Sequence, residues 1–544
     1  MNDSRFNAAA RGALLSALAT TPHDLLVIGG GITGAGIARD AAMRGLTVAL
    51  VERDDFASGT SSRSSRLVHG GLRYLEQGAL HLVFEASRER QVLRHIAPHL
   101  VQPLRFIWPV YAKARIPRWK LGAGLWVYDA LALFRNIARH HRLSARAVGT
   151  AEPALREHGL RGGFSYYDAH TDDIRLTLAN ARAAAEAGAV VLNHVEVRQL
   201  VMEGGAVSGA VAVDTLSGNR ITVAARSVVN ATGPWSTLVS RMARPEAPEM
   251  VHGTKGVHIA VPRGRIANRG ALTLLSPIDG RVMFILPAGA HTIIGTTDTE
   301  YPGPAESVHA ARQDVTYLLR SANAFFPGAH LGRADVVSAW AGVRPLAESG
   351  SSTPDRISRE HRLTWTAPGL LTITGGKLTT YRVMAAQVVD AVAQALGVTG
   401  HGAPTDHVPL PGGAIASLDA ELAEARAQIS RPALADHLVA RYGSEWRAVW
   451  AIVEAKGALA ASVVPSLTDI AAELVYAVEQ EMALTLADLL IRRLHIAFET
   501  HDHGLAAAPA AARVVAPLLG WSAKHIDAEL ARYQQEVAVL FKVE

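Results

Sequence analysis

The sequence contains no cysteine among its 544 residues. Disulfide bonds, thiolate metal sites and catalysis by a thiol are therefore excluded. No window reaches about 18 uninterrupted apolar residues, so a membrane-spanning helix is not predicted. The net charge is only +5, and no basic run with interleaved stacking aromatics is present, so we do not expect nucleic-acid binding.

The chain is too long for a single hydrophobic core, and its 49% hydrophobic content is typical of a folded protein, which together indicate two or three domains. Residues 1–22 form an N-terminal extension. Its "GALLSALAT" resembles the apolar part of a short signal peptide. Asp3 in the region before it and Ser16 within it favour an amphipathic helix instead.

Glycines are concentrated in "LLVIGGGITGAGIARDAAMRG", which runs from Leu25 to Gly45. A short apolar strand leads into Gly29-x-Gly31-x-x-Gly34, a helical pattern follows, and a second strand, "TVALVE", ends at Glu52. This order is the dinucleotide-binding fingerprint: the glycines let the backbone approach a pyrophosphate at the helix N-terminus, and the acidic residue contacts the ribose.

A loop rich in hydroxyl groups, "SGTSSRSSRLVHGGLRYLEQG", follows in place of a further regular strand and helix. Such a segment suits an extended loop along a long cofactor, with Thr60, Ser61, Ser64 and Ser65 as hydrogen-bond donors. A nicotinamide enzyme usually continues with further βα units, so the pattern favours FAD. A solvated serine-rich loop without a ligand is the alternative.

Two later glycine turns follow predicted strands. Ala231-Thr232-Gly233 ends a series of strands that begins after a helix near residue 173, and Gly375-Gly376 precedes a helix that we expect to begin near Leu378. Residues 251–348 are rich in strand patterns and predict a sheet that covers the substrate. After the linker "HGAPTDHVPLPGGA", the last ~125 residues predict an all-helical domain for docking or assembly.

An apolar segment with flanking basic residues, "KARIPRWKLGAGLWVYDALALF", begins at Lys113. Basic side chains combined with interfacial aromatics are typical of a helix that lies on an anionic membrane surface. A core helix with a basic cap explains the pattern equally well. The residues concerned are Lys113, Arg115, Arg118, Lys120, Trp119, Trp126 and Tyr128.

Several motifs together resemble the FAD-dependent glycerol-3-phosphate dehydrogenases: "DLLVIGGGITGAGIARDAAMRG", "TSSRSSRLVHGGLRYLE", "NATGPW", "IIGTTD", "GVRPL", "GGKLTTYR" and, in the helical tail, "LADLLIRRL". The resemblance extends from about residue 24 to the C-terminus in the family's order. One departure is Arg66, where lysine is commoner, and the charge is retained.

The resemblance implies a fold of class α/β with an added all-α domain. The first domain is an FAD-binding Rossmann-like domain of the glutathione-reductase-2/D-amino-acid-oxidase type, predicted at 23–80, 151–250 and 345–403. A mixed-sheet substrate domain, with a possible membrane-facing segment, is predicted at 81–150 and 251–344. A helical domain is predicted at 404–544.

The implied reaction is oxidation of sn-glycerol 3-phosphate to dihydroxyacetone phosphate, with hydride transfer from C2 to flavin N5. Its dianionic substrate needs cations, and its secondary alcohol needs a base. The resemblance assigns His258, Arg344 and Lys377 to catalysis, with His258 preferred as the base. It assigns substrate binding to Arg73, Tyr74, His258, Arg344, Lys377 and Thr380.

The glycine turns, the hydroxyl-rich loop and the resemblance together assign non-covalent FAD binding to the following residues: Gly29, Gly31, Ile32, Thr33, Gly34, Glu52, Arg53, Thr60, Ser61, Ser64, Ser65, His69, Gly70, Gly71, Val197, Ala231, Thr232, Gly233, Gly375, Gly376, Lys377, Leu378 and Thr379. No metal site is predicted.

The expected electron acceptor is a membrane quinone, ubiquinone or menaquinone. The corresponding location is the cytoplasm, peripherally on the inner face of the cytoplasmic membrane, and a homodimer is possible. Two alternatives remain open: a glycerol-3-phosphate oxidase that uses O2, and an amine or amino-acid oxidase of the same fold.

Overall fold

The computed structural model describes residues 6–75, 78–133, 136–347, 361–398 and 402–544. The strands are β1 (His23–Ile28), β2 (Val48–Val51), β3 (Leu67–Val68), β4 (Val101–Tyr111), β5 (His141–Leu143), β6 (Leu160–Thr171), β7 (Val190–Leu192), β8 (Val195–Glu203), β9 (Ala206–Asp214), β10 (Arg220–Asn230), β11 (Val251–Pro262), β12 (Ala271–Leu275), β13 (Val282–Ala288), β14 (His291–Gly295), β15 (Thr299–Glu300), β16 (Ser338–Ala347), β17 (His361–Ala367) and β18 (Leu370–Gly375).

The helices are α1 (Arg11–Thr20), α2 (Ile32–Met43), α3 (Leu80–Ile96), α4 (Arg118–Leu131), α5 (Ala145–Ala151), α6 (Asp173–Glu186), α7 (Ser236–Ala243), α8 (Arg263–Ile266), α9 (Arg312–Phe325), α10 (Tyr381–Leu396), α11 (Leu418–Gln428), α12 (Pro432–Tyr442), α13 (Trp446–Ala455), α14 (Ala471–Gln480), α15 (Ile496–Glu499), α16 (Ala508–Leu519) and α17 (Ala523–Leu540). A π-helical turn covers Asp488–Arg493.

The first sheet has the order β17-β18-β10-β1-β2-β7, and β9 joins β8 to β10. Its centre is parallel: β1 pairs with β2 and with β10, and β10 pairs with β18. Strands β1 and β2 are short, and nearly all of their residues are buried. Such apolar runs are typical of parallel strands that are covered on both faces. The carboxyl ends of β1, β10 and β18 therefore meet at one edge, and each carries one of the three glycine turns.

The second sheet has the order β15-β11-β14-β13-β12-β4-β6-β3, with β16 paired to β11 and β5 to β6. It confirms the predicted mixed-sheet part of the fold. Strand β6 lies within the range predicted for the first domain, but it pairs along its length with β4 of the second sheet. The chain passes from the second sheet to the first domain between Thr171, the last residue of β6, and Asp173, the first residue of α6, which packs against α2 and β7.

The helical C-terminal part packs on the first domain through buried ion pairs. Arg175 on α6 lies 2.6 Å from Glu481, and Arg493 lies 2.6 Å from Asp55, which follows β2. All four side chains are buried. A buried charge without its partner is strongly unfavourable, so the helical domain and the first domain form one packed body.

The N-terminal helix α1 packs against the same body. Its Leu14 and Leu18 are buried, and Arg11 lies 2.6 Å from Asp214 at the end of β9. Within the described ranges, no helix is both long and apolar enough to cross a membrane.

Candidate active site

A cavity of about 320 Å³ lies at the edge of the first sheet where the three glycine turns meet. The turn after β1 is the most tightly constrained. Gly29 has φ +108°, and a Cβ on Gly34 would lie 1.9 Å from the carbonyl oxygen of Gly29. Only glycine at position 34 therefore lets α2 begin this close to β1. Gly31 forms the N-cap of α2, so the helix N-terminus faces the cavity.

The hydroxyl-rich loop lies along the same cavity. Ser61 Oγ accepts a hydrogen bond of 3.0 Å from the Ile32 amide in the first turn of α2. Glu52, at the end of β2, accepts a hydrogen bond of 2.6 Å from the Gly30 amide. Burial raises the pKa of Glu52, and the carboxylate of Asp54 adds to this effect. These contacts fix the phosphate-facing loop and the acidic side chain relative to each other.

Arg53 and Trp235 close one side of the cavity. The Arg53 guanidinium lies 4.8 Å from the centre of the Trp235 ring, within cation–π range. Both residues line the cavity. They come from the segments that follow β2 and β10.

Arg344 is held at the second sheet by three acceptors. It lies 3.0 Å from the Asp298 carboxylate and donates to the Thr296 hydroxyl at 2.9 Å and to the Thr297 carbonyl at 3.0 Å. A Cβ on Gly256 of the neighbouring strand β11 would lie 2.2 Å from the guanidinium. The glycine thus provides the space that the arginine occupies.

His258 is a buried residue of β11. Its Nε2 lies 2.8 Å from Ser65 Oγ, and its ring stacks on Trp340 with 5.7 Å between the ring centres. Burial, together with the nearby charges of Arg344 and Arg66, lowers the pKa of His258 to about 3. The ring is therefore neutral at ordinary pH. Its buried Nδ1 forms no hydrogen bond with the described part of the chain.

Comparison with known proteins shows the family. The model of the FAD dependent oxidoreductases matches residues 24–382, and the model of the C-terminal domain of alpha-glycerophosphate oxidase matches residues 403–526. "Glycerol-3-phosphate dehydrogenase 2" of Mycobacterium tuberculosis is 40% identical over 532 residues, which cover 97% of this chain and 90% of that protein. This chain belongs to the FAD-dependent glycerol-3-phosphate dehydrogenase family.

Two further relatives of this dehydrogenase family support the assignment. The aerobic glycerol-3-phosphate dehydrogenase of Bacillus subtilis is 36% identical, covering 91% of this chain and 90% of that protein. The crystal structure of the glycerol-3-phosphate dehydrogenase from Bacillus halodurans, complexed with FAD, superposes with a TM-score of 0.82 at 33% identity and covers 99% of both chains.

The described residues fit FAD, the cofactor of the glycerol-3-phosphate dehydrogenase family. Gly233, which lines the cavity, has open space where another residue would carry its Cβ, and the N-terminus of α2 supplies amide donors for a pyrophosphate. The cavity is lined by these predicted cofactor residues: Gly29, Gly31, Ile32, Thr33, Glu52, Arg53, Thr60, Ser61, Ser64, Val197, Ala231, Thr232, Gly233, Gly375, Gly376, Lys377 and Leu378.

Six predicted cofactor residues do not line that cavity: Gly34, Ser65, His69, Gly70, Gly71 and Thr379. Gly34 is packed beneath the first turn, and Ser65 turns to His258. The His69 amide donates to Thr379 Oγ1 at 3.2 Å, which joins the hydroxyl-rich loop to the turn after β18.

The predicted substrate residues are brought together only in part. Lys377 lines the cofactor cavity, whereas His258 and Arg344 lie outside its lining, and Thr380 is buried. The side chains of Arg73 and Tyr74 are outside the described part of the structure.

Sequence reasoning missed part of the cavity wall and the residues that hold Arg344. The missed wall residues include Glu196, Trp235, Leu238, Met242, Pro345 and Met384. Trp235 stands inside the quoted motif "NATGPW", so its aromatic ring beside a glycine turn was a usable signal. Gly256 lies two residues before His258, but nothing in the sequence links it to an arginine on a neighbouring strand.

Proposed function

We propose that this protein oxidises sn-glycerol 3-phosphate to dihydroxyacetone phosphate. The observation that carries the proposal is identity of 35–40% over most of the chain with named glycerol-3-phosphate dehydrogenases. Cation placement supports it: Arg344 directly precedes Pro345, which lines the cofactor cavity with Lys377. Strands β16 and β18, which bring these segments together, contact each other.

Two cations of different geometry suit a phosphate ester. The Arg344 fork binds two oxygens at once, and Lys377 supplies a point charge. Asp298 and the hydroxyl of Thr296 fix the guanidinium before substrate arrives, so little side-chain entropy is lost on binding. Arg73, Tyr74 and Thr380 complete the proposed substrate site.

His258 is the proposed base. FAD, when bound, supplies the two-electron acceptor for the hydride that leaves C2. The C2 hydroxyl proton passes to His258 Nδ1, which is buried, neutral and without a hydrogen bond in the described structure. Ser65 holds the opposite ring nitrogen and thereby sets the orientation of the imidazole. A hydride leaves C2 and a proton leaves the hydroxyl group, and a ketone remains.

A comparison of substrates tests this proposal. In anaerobic stopped-flow experiments, sn-glycerol 3-phosphate should bleach the flavin absorbance of the holoenzyme. Glycerol lacks the phosphate, and glycine and sarcosine are substrates of the amine-oxidase class, so these three should not bleach it. Bleaching by an amine but not by the phosphate ester would overturn the proposal.

We further propose that a membrane quinone receives the electrons and that the protein docks on the lipid surface that holds this quinone. Helices α3 and α4 pack against each other and expose apolar side chains on their outer side. Trp119 is 76% exposed and Trp126 is 59% exposed. The exposed apolar set, which we name the α3–α4 surface, is Leu80, Phe84, Trp119, Trp126, Val127 and Leu133.

Charge and aromaticity favour an anionic membrane as the occupant of the α3–α4 surface. Lys113, Arg115 and Lys120 are exposed in the same segment of the chain as the two tryptophans. Tyr128 differs from the sequence-based interpretation: it points inward, where its hydroxyl donates to Asp168 at 2.6 Å. The polar tyrosine hydroxyl thus belongs to the interior, and the tryptophans remain as the interfacial aromatics.

Sedimentation with vesicles tests the α3–α4 surface. Wild type should co-sediment with phosphatidylglycerol-containing vesicles, and the double variant Trp119→Ala, Trp126→Ala should bind at least roughly tenfold more weakly because apolar burial is lost. Trp365→Ala, at an exposed tryptophan of β17, is the matched control. Equal binding of the double variant would refute the surface. Reoxidation of the reduced holoenzyme by oxygen as fast as by a quinone would instead favour the oxidase alternative.

A further inference from the structure

A second cavity of about 280 Å³ lies between the second sheet and the helical domain. Its wall is polar over much of its extent and includes Asp172, His495 and Glu499. His170, Gly289 and Ala440 line it and are exposed, so it reaches the protein surface. A cavity of this size with several polar partners has room for ordered water.

Ser64 and Ser65 lie in the loop that separates the two cavities. Ser64 lines the cofactor cavity, whereas Ser65 lines the second cavity. Ser65 Oγ is also the hydrogen-bond partner of His258 Nε2 at 2.8 Å. One hydroxyl group therefore connects the proposed base, which is buried, to a polar space that opens to solvent.

The environment of His258 makes such a connection necessary. The ring has almost no contact with solvent, and nearby positive charges disfavour the imidazolium form. A proton accepted from substrate would be held there only briefly. Turnover with this base therefore requires a route by which the proton leaves at nearly the same time as it arrives.

We propose that the second cavity is the exit route for the substrate proton, with Ser65 as the relay from His258 and Glu499 as the acceptor on the cavity wall. This inference rests on the proposed function, because it takes the proton from the C2 hydroxyl. Ser65 passes on the proton that His258 releases. Glu499 does not contact the substrate and receives this proton at the wall of the second cavity.

The proton transfers balance as follows. His258 Nδ1 takes the substrate hydroxyl proton, and the Nε2 proton moves to Ser65 Oγ. The Ser65 hydroxyl proton moves in turn into the cavity and reaches the Glu499 carboxylate. One proton leaves the protein for each alcohol oxidised, and the two electrons leave separately as the hydride.

Glu499 suits the role of a reversible acceptor near neutral pH. Burial raises the pKa of Glu499 to about 7, and Asp469 contributes to the rise. The opposing positive charges are Arg441 and Arg66. The titratable and charged groups that face the cavity or this carboxyl are Arg66, His99, His170, Asp172, His437, Arg441, Asp469 and His495.

Proton release can be measured separately from flavin reduction. The holoenzyme is mixed with sn-glycerol 3-phosphate anaerobically in weakly buffered solution that contains a pH-indicator dye. In wild type, dye response and flavin bleaching should coincide. In Ser65→Ala and in Glu499→Gln, proton release should become at least roughly tenfold slower and lag behind any bleaching. Flavin content is measured in each variant.

Two further measurements distinguish a proton relay from a purely structural role of Ser65 and Glu499. Added imidazole, which carries protons through the open cavity, should restore the release rate of Glu499→Gln, and the solvent deuterium isotope effect on release should rise in both variants. Glu454→Gln, an exposed glutamate of the same helical domain, should behave like wild type. Synchronous release in both relay variants, or a lag that imidazole leaves unchanged, would overturn the exit route. No bleaching in wild type would instead overturn the proposed function.

Discussion

Replacement of Arg344 by alanine separates substrate binding from cofactor binding. The guanidinium lies outside the lining of the FAD cavity and is held by Asp298, Thr296 and Thr297. The variant should therefore purify with normal flavin content. The variant should lose kcat/KM for sn-glycerol 3-phosphate, because the proposed substrate is a dianion and the variant lacks a cation that we place in its site.

The magnitude follows from measured truncations of buried charge pairs, which cost about 2–5 kcal/mol. That range corresponds to a loss of about 30-fold to several thousand-fold in kcat/KM, since about 1.36 kcal/mol is tenfold. Turnover is measured with a soluble dye acceptor, which removes any need for a membrane. Arg320→Ala, at an exposed arginine of α9, is the control. Near-normal kcat/KM, or purification without flavin, would refute the reasoning.

Three further predictions concern the cofactor turn and stability. Gly34→Ala should purify with far less flavin, because the added Cβ meets the turn at 1.9 Å, whereas Gly12→Ala, with no atom within 4 Å, should keep wild-type content. Burial lowers the pKa of His99 to about 3, so the unfolded state alone takes up this proton below about pH 6.5. Stability should fall on acidification by up to about 1.4 kcal/mol per pH unit, and His99→Gln should flatten this slope in denaturant titrations. Arg493→Met leaves Asp55 with one cation fewer in a fully buried site and should lower the free energy of unfolding by about 3 kcal/mol; an unchanged melting curve would show that the pair is dispensable.

The FAD-binding part of the fold could be predicted because its constraints are local. Gly29 is required by a positive φ and Gly34 by the close approach of α2 to β1, and both belong to a short glycine pattern that is visible in the sequence. The acidic end of β2 and the apolar strands are equally local. The fold class and the cofactor that these features predicted are confirmed by the comparison with known proteins.

The support of the site could not be predicted because it joins residues that are distant in sequence. Arg344 and Asp298 are 46 residues apart, and Arg175 and Glu481 are 306 residues apart. Neither pair leaves a periodic pattern. The sequence also offered no sign that Ser64 and Ser65 line different cavities, since both belong to one hydroxyl-rich run and only the packing of His258 distinguishes them.

Anaerobic titration of the FAD-bound protein with sn-glycerol 3-phosphate tests the central claim most directly. Flavin absorbance and dihydroxyacetone phosphate are followed together as substrate is added. Loss of the oxidised-flavin band in step with the formation of one ketone per flavin is the predicted result. An oxidised flavin that persists through excess substrate, with FAD demonstrably bound, would contradict it.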